Sequence, residues 1–142
     1  MRSLNDYLES GSKPQLISWG IHEGMRGTTW IQLHSNGRLS ENRYIPGGSL
    51  QGETTELGML PSGQFDQLLE LLLLIPDKYF ADDSDLDPHA QITLDCIADD
   101  FSWRWAFLPW QIDKEESLSQ VAVAIRALKD QLPENGVDGQ PD

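Results

Sequence analysis

Three histidines and one cysteine are the side chains best suited to bind a metal or act as a nucleophile. His22, His34 and His89 lie in separate segments, and none of them belongs to an H-E-x-x-H motif. Cys96 is the only cysteine, which excludes an internal disulfide and a cysteine-based zinc site. No serine lies in a G-x-S-x-G motif. We therefore expect no catalytic residue, no metal site and no cofactor.

Two loops resemble ligand-binding motifs that they do not complete. Residues 47–52 have the end glycines of a phosphate-binding loop, but Glu53 follows where that motif requires lysine. Residues 83–87 begin like a calcium loop, yet the sixth position is Pro88 instead of glycine and the twelfth is Leu94 instead of glutamate. We expect a mobile connector and a solvated acidic loop. Weak cation binding by the clustered carboxylates is the alternative for the second loop.

The charge of the chain is strongly one-sided. Its 142 residues include 23 Asp+Glu and 10 Lys+Arg, for a formal net charge of −13. Such a chain is unsuited to nucleic-acid phosphates, which favour a basic surface. The longest purely apolar run is 71–75, too short to span a bilayer, and the first residues lack the apolar region of a secretory signal. We expect a cytoplasmic protein with no membrane or nucleic-acid partner.

Hydrophobic alternation with a period of two predicts strands at 16–22, 28–34, 38–45 and, more weakly, 54–60. Ser35-Asn36-Gly37 predicts a hairpin turn between the second and third strands, because Asn and Gly accept positive φ. A two-residue loop would pair Leu33 with Ser40, whereas a three-residue loop with a bulge would pair Leu33 with Leu39. Both registers are open at this point.

The pattern of polar and apolar residues at 90–108 predicts a second hairpin with a single register. A turn at Asp99-Asp100 pairs Asp95 with Arg104 on one face. On the other face it places every large aromatic residue opposite an apolar partner: Ala98 with Phe101, Cys96 with Trp103, Leu94 with Trp105, and Ile92 with Phe107. We expect this aromatic stripe to form core, and Cys96 to be a buried, inert thiol.

Helical spacing of apolar residues predicts two principal helices. In the first, Ser62 is the expected cap and Pro76 the stop, and the apolar stripe is Phe65, Leu68, Leu69 and Leu72. The neighbouring Leu71, Leu73, Leu74 and Ile75 are expected to be covered on more than one side. In the second, Asp113 and Glu116 are the expected capping pair, and the stripe is Leu118, Val121, Ala122, Ile125, Leu128 and Leu132.

These elements predict an α+β fold. We expect an antiparallel sheet of about five to six strands, in the order strand-strand-strand-(strand)-helix-strand-strand-helix, with two helices packed on one face. Residues 15–132 would form a single domain. Residues 1–14 would be an N-terminal arm or short helix, either docked or disordered, and 133–142 a disordered tail.

The pattern of apolar positions resembles the small emfourin-type metalloprotease inhibitors and related bacterial domains of unassigned function. The residues that carry the resemblance are Leu60-Pro61, Phe65, Leu68-Leu69, Leu72, Tyr79-Phe80, Ile92-Thr93-Leu94, Leu118, Ile125 and Leu128. The resemblance covers roughly Leu16 to Leu132. It implies the fold described above and a non-enzymatic, protein-binding role, and it assigns no inhibitory residue.

The leading functional hypothesis is a protein-binding domain, such as an inhibitor, an immunity protein or an assembly adaptor, whose acidic surface meets a basic partner. Trp110 lies outside the paired register of the second hairpin and is the first candidate partner contact. The other candidates are the acidic-loop residues Asp82, Asp83, Asp85 and Asp87. One alternative is a small-molecule pocket lined by Trp19, Trp30 or Trp110. Another is a homodimer that buries Leu71, Leu74 and Ile75, so the chain is expected to be a monomer or a homodimer.

Overall fold

A computed structural model describes residues 4–23, 27–44, 53–61, 63–81, 91–99 and 101–132. The strands are β1 (Leu16–His22), β2 (Thr28–His34), β3 (Arg38–Tyr44), β4 (Glu53–Met59), β5 (Phe80–Ala81), β6 (Ile92–Ile97) and β7 (Ser102–Phe107). The α-helices are α1 (Leu4–Glu9), α2 (Gly63–Leu72), α3 (Pro109–Lys114) and α4 (Glu116–Leu128), with short 3-10 helices at Asp77–Tyr79 and Lys129–Gln131. None of the described helices is long and apolar enough to cross a membrane.

The strands form one antiparallel sheet in the order β4-β3-β2-β1-β6-β7-β5. Six of them are long, and β5 contributes only two residues at one edge. Strand β1 is central, since it pairs with β2 on one side and with β6 on the other. It therefore joins the N-terminal meander to the later hairpin in a single small domain, and the predicted α+β class is confirmed.

The hairpin between β2 and β3 has the three-residue loop. Leu33 pairs with Leu39, which excludes the alternative partner Ser40. The Gly37 N–H donates to the His34 carbonyl at 2.9 Å, and Gly37 has a φ of +97°. A side chain at position 37 would also collide with the Leu60 backbone carbonyl. Glycine thus sets the register, and this register leaves both leucines on the core face.

The hairpin between β6 and β7 has the predicted register throughout. Asp95 pairs with Arg104 and Cys96 with Trp103, and the Ala98 N–H donates to the Phe101 carbonyl at 2.8 Å. Trp103, Trp105 and Phe107 are buried, as expected for core. Phe101 differs, because it lies beside the turn and is 38% exposed.

The helices cover one face of this sheet, here called the helix face. Within the two principal helices the predicted apolar stripes are buried: Phe65, Leu68, Leu69 and Leu72 in α2, and Leu118, Val121, Ala122, Ile125 and Leu128 in α4. Leu132, the last predicted member of the second stripe, lies beyond the end of α4 and is only partly buried. Helix α1 also lies on this side, since Leu4 is buried and the Tyr7 ring packs edge-on against Trp103 with centroids 5.1 Å apart.

The segment after β7 corrects the predicted capping pair. Pro109 and Trp110 begin α3, where proline at the first helical position has a suitable φ and no N–H to leave unpaired. The Gln111 side chain accepts a hydrogen bond from the Leu108 N–H at 2.7 Å. Asp113 consequently lies inside α3 and caps nothing, and α4 follows Glu115 without a side-chain cap.

The end of α2 corrects a second prediction. The helix ends at Leu72, and the next two residues form a turn in which Leu73 is 39% and Leu74 is 60% exposed. Ile75 returns to the core. The prediction that Leu73 and Leu74 are covered on more than one side is therefore wrong, because the helix ends at Leu72, before these two residues. Ser62, the loop at 47–52, the acidic loop at 83–87 and the tail at 133–142 lie outside the described residues.

Candidate functional site

Side chains on the sheet surface opposite the helices form the first candidate site, here called the open face. The strand registers place together on it Ser18, Gly20, His22, Thr28, Trp30, Gln32, Ser40, Asn42, Thr93, Asp95 and Arg104. This surface is polar, with a single tryptophan near its centre. Three of its small residues, Ser18, Ser40 and Thr93, are nevertheless buried, because longer neighbours cover them.

Trp30 lies across Gly20 on the neighbouring strand. An ideal Cβ atom at position 20 would be 2.6 Å from both Cδ1 and Nε1 of Trp30, and 3.1 Å from Thr93 Oγ1. Any side chain at position 20 would therefore push the indole away. A glycine inside a strand is unfavourable by itself, and a cross-strand aromatic ring that shields its backbone compensates for that loss.

His22 is held between two hydroxyl groups at one end of this surface. Its Nε2 atom is 2.9 Å from Thr93 Oγ1, and its Nδ1 atom is 3.2 Å from Thr28 Oγ1. The imidazole also packs edge-on against Trp30, with ring centroids 6.0 Å apart. In the neutral ring one nitrogen donates and the other accepts, so the two hydroxyls satisfy both.

Electrostatics also favour the neutral form of His22. Burial, followed by the Arg104 guanidinium, lowers the pKa of His22 below its ordinary value, while Asp95 acts in the opposite direction. Both nitrogens of the neutral imidazole are therefore engaged by hydroxyl groups of the protein, which fixes the orientation of the ring on the open face.

Asp95 and Arg104 form the predicted cross-strand ion pair. Arg104 Nε donates to Asp95 Oδ1 at 2.6 Å, and Nη2 lies 3.5 Å from Oδ2. The carboxylate is the more buried partner, with its side chain 14% exposed against 35% for the arginine. This pair joins β6 to β7 on the open face and neutralises both charges there.

Trp110 forms the second candidate site, on the outer surface of α3. The residue is 56% exposed. Ile112, which is buried, lies about 200° away around the helix axis and so fixes the outward direction of Trp110. Asp113 and Lys114 follow at the spacings that place side chains on the same helical surface. A large aromatic residue is therefore presented to solvent on a short helix, beside one carboxylate and one ammonium group.

The remaining predicted site residues are not brought together. Trp19 is buried on the helix face beside Phe107, whereas Trp30 lies on the open face and Trp110 on α3. These three tryptophans therefore line no common pocket. Asp82, Asp83, Asp85 and Asp87 lie outside the described residues.

Neither the histidines nor the cysteine form a reactive cluster in the described part of the chain. His22 pairs with Thr28 and His34 pairs with Leu16, so the two imidazoles lie at opposite ends of β1 and β2. Burial, followed by Asp95, raises the pKa of the Cys96 thiol to about 12. Within the described ranges, no group of three or more His, Cys, Asp and Glu residues could hold a metal ion.

Sequence reasoning missed the contact of Trp30 with Gly20. A glycine in the middle of one predicted strand and a tryptophan in the middle of the next were the available signals. They indicate a contact only when the β1–β2 register is known, and nothing in residues 23–27 specifies that register as strongly as Gly37 specifies the next one.

Comparison with known proteins adds no assignment to this geometry. Neither a scan of protein-family models nor a search of curated proteins found a match to the chain.

Proposed function

We propose that this chain is a non-enzymatic protein-binding domain that acts on a basic partner as an inhibitor, an immunity protein or an assembly adaptor. The observation that carries the proposal is Trp110. Trp110 is 56% exposed and projects from a helix that is anchored by the buried Ile112. Tryptophan is enriched among the residues that dominate binding energy at protein interfaces.

The charge of the chain supports the same proposal. A net charge of −13 steers a basic partner towards the surface and speeds association at low ionic strength. Asp113, three residues after Trp110, supplies a carboxylate beside the proposed contact. The acidic loop residues Asp82, Asp83, Asp85 and Asp87 belong to the proposal on their charge alone.

Two observations weigh against the alternatives. A tryptophan-lined ligand pocket has less support because Trp19 is buried in the core and Trp30 lies on the opposite face of the sheet. A homodimer that buries Leu71, Leu74 and Ile75 loses part of its surface, since Ile75 is 6% exposed within the monomer.

The test is affinity purification of the tagged chain from its native lysate at about 0.15 M and about 0.5 M salt, followed by titration of the recovered protein. Wild type should retain a specific basic protein at the lower salt concentration and lose it at the higher one. Trp110→Ala should weaken the measured affinity about thirtyfold, the size expected for a central tryptophan. Val123→Ala is the matched control, because Val123 is a similarly exposed apolar residue on α4, at 59%.

The outcomes separate clearly. A partner that binds wild type and Val123→Ala equally, and Trp110→Ala far less, supports the proposed contact. Equal binding by all three proteins would remove Trp110 from the interface. The absence of any partner specific to the tagged chain at the lower salt concentration would contradict the protein-binding function itself.

A further inference from the structure

The two edges of the sheet differ in length. Strand β5 ends one edge with two residues, whereas β4 ends the other with seven. Among the described residues, β4 pairs with β3 and no strand pairs with its outer side. It contains neither lysine nor proline, which are common devices for blocking an edge strand. A register shift opposite Leu39 and Ser40 marks a bulge at Leu57 and leaves the ladder at 53–56 regular.

The hydrogen-bond pattern identifies which β4 amides point outward. The Ser35 N–H donates to the Gln15 carbonyl on the β1 side, and the Gly37 N–H donates to the His34 carbonyl on the β3 side. The peptide N–H and C=O groups of successive residues point to opposite sides of a strand. The odd-numbered residues of β2 therefore bond to β1, and its even-numbered residues, such as His34, bond to the even-numbered residues of β3. The odd-numbered residues of β3 therefore face β4.

The same alternation then applies to β4 itself. Glu41 of β3 pairs with Thr55, so the Thr55 peptide groups bond to β3. Thr54 and Glu56 consequently direct their N–H and carbonyl groups away from the sheet. These two residues present the donors and acceptors that an added strand needs.

Side chains on the two sides of this edge indicate what that strand would contain. Glu56 lies on the open-face side and contacts Arg38 at 3.5 Å, in a pair whose side chains are about half exposed, at 57% and 48%. Such a pair is weak and leaves the carboxylate accessible to a second cation. On the helix-face side, Leu57 packs partly against the core, and a Cβ at the neighbouring Gly58 would meet the Leu132 side chain at 2.8 Å.

A second copy of the chain is a poorer occupant. Antiparallel pairing of β4 with itself, centred on Glu56, would set the two Glu56 carboxylates directly opposite each other. Centring the pair on Thr55 would make them diagonal neighbours. Like charges in these positions destabilise a strand pair, whereas lysine or arginine would stabilise it.

We propose that the outer edge of β4 binds a short extended segment of a basic protein as an additional strand. Lysine or arginine of that segment would lie beside Glu56, and an apolar residue would lie beside Leu57. The basic character of the partner rests on the proposed function, but the availability of the edge does not. This surface is separate from Trp110, because β4 and β7 lie near opposite edges of the sheet.

The experiment follows amide hydrogen exchange by NMR, with a short synthetic peptide of alternating lysine and valine as the probe. In the free chain, the Thr54 and Glu56 amides should exchange rapidly and the Thr55 amide slowly. Saturating peptide should slow the exchange of Thr54 and Glu56 at least about tenfold and leave Thr55 unchanged. A peptide of alternating glutamate and valine should protect neither residue.

Charge at the edge is tested by Glu56→Gln, which should weaken binding of the lysine peptide about two- to fivefold at low salt. Glu70→Gln, which replaces an exposed glutamate on α2, is the matched control and should leave peptide binding unchanged.

Protection of the Thr54 and Glu56 amides in the free chain would overturn the proposal. If that protection did not change with chain concentration, another segment of the same chain would cover the edge. If it increased with chain concentration, a second copy would cover it. Failure to protect these amides at saturating peptide would also overturn it. None of these results depends on Trp110, so failure here and failure of the proposed function are distinguishable.

Discussion

The two faces of the sheet are built from alternating residues of the same strands, yet they are stabilised in different ways. On β6, Leu94 and Cys96 are completely buried against the helices. Asp95 lies between these two residues and binds Arg104 on the open face. Thr93 precedes Leu94 and binds His22 on the same face. The helix face gains stability from apolar burial, which has no direction, whereas the open face depends on specific cross-strand partners.

The tryptophans show the same contrast. Trp105 is 5% exposed and fills space beneath the helices, so its size matters most. Trp30 covers the backbone of Gly20, so the identity of its cross-strand neighbour matters most. Tryptophan therefore indicates core in β7, whereas in β2 it forms a cross-strand pair whose partner depends on the register.

Cys96 should be almost unreactive in the folded protein. A rise in the pKa of its thiol from 9.0 to about 12 reduces the thiolate fraction near pH 8 about a thousandfold. Labelling by a thiol reagent should be slow in buffer and fast in urea, as followed by mass spectrometry. Native labelling as fast as that of the unfolded chain would show that the helix face is open at this position.

Leu94→Ala should lower the free energy of unfolding by about 2–5 kcal/mol, because a completely buried leucine leaves a cavity at the centre of the sheet. Thr93→Ala, one residue earlier on the opposite face, should cost only about 1 kcal/mol through the lost contact with His22. Urea denaturation measures both changes. Equal losses would contradict the proposed difference between the two faces.

Gly20→Ala should destabilise the chain by about 1–2 kcal/mol, since overlap of the new Cβ with Trp30 outweighs the entropic advantage of alanine. Trp30→Val should remove the overlap, so the double variant should be more stable than the sum of the two single changes predicts. A double-mutant cycle from urea denaturation gives this coupling. Strict additivity would mean that the indole does not depend on the glycine beneath it.

His22 should make stability fall as the solution is acidified. Its folded pKa is below the ordinary value of 6.5, so below that pH the unfolded chain binds more protons than the folded chain. The stabilising contribution of His22 is complete above pH 6.5 and is lost as the pH falls through that value towards the folded pKa.

Replacement of His22 by glutamine should flatten the stability profile between about pH 7.5 and about pH 5, as measured by urea midpoints. His34→Gln is the comparison, because burial and Arg38 lower the pKa of His34 as well. A slope unchanged by His22→Gln would show that the folded protein does not disfavour protonation of this imidazole.

The second hairpin shows how much a sequence can specify when its constraints agree. Pairing Asp95 with Arg104 and pairing every aromatic residue with an apolar one required the same register, and that register is present. The first hairpin left two registers open, because Ser35-Asn36-Gly37 is compatible with a two-residue loop and with a three-residue loop. The choice there came from Gly37, which adopts positive φ close to the Leu60 backbone.

The α+β class, the buried stripes of α2 and α4 and the burial of Cys96 followed from hydrophobic periodicity and turn residues alone, because both act over a few neighbouring residues. The start of α3 at Pro109 and the exposure of Leu74 did not follow from these local patterns, since they depend on where the helices begin and end against the sheet. The cover that Trp30 provides for Gly20, the two hydroxyls that hold His22 and the outward amides of β4 were decided by tertiary structure. Each depends on a strand register or a strand order, which is fixed only when distant segments pair.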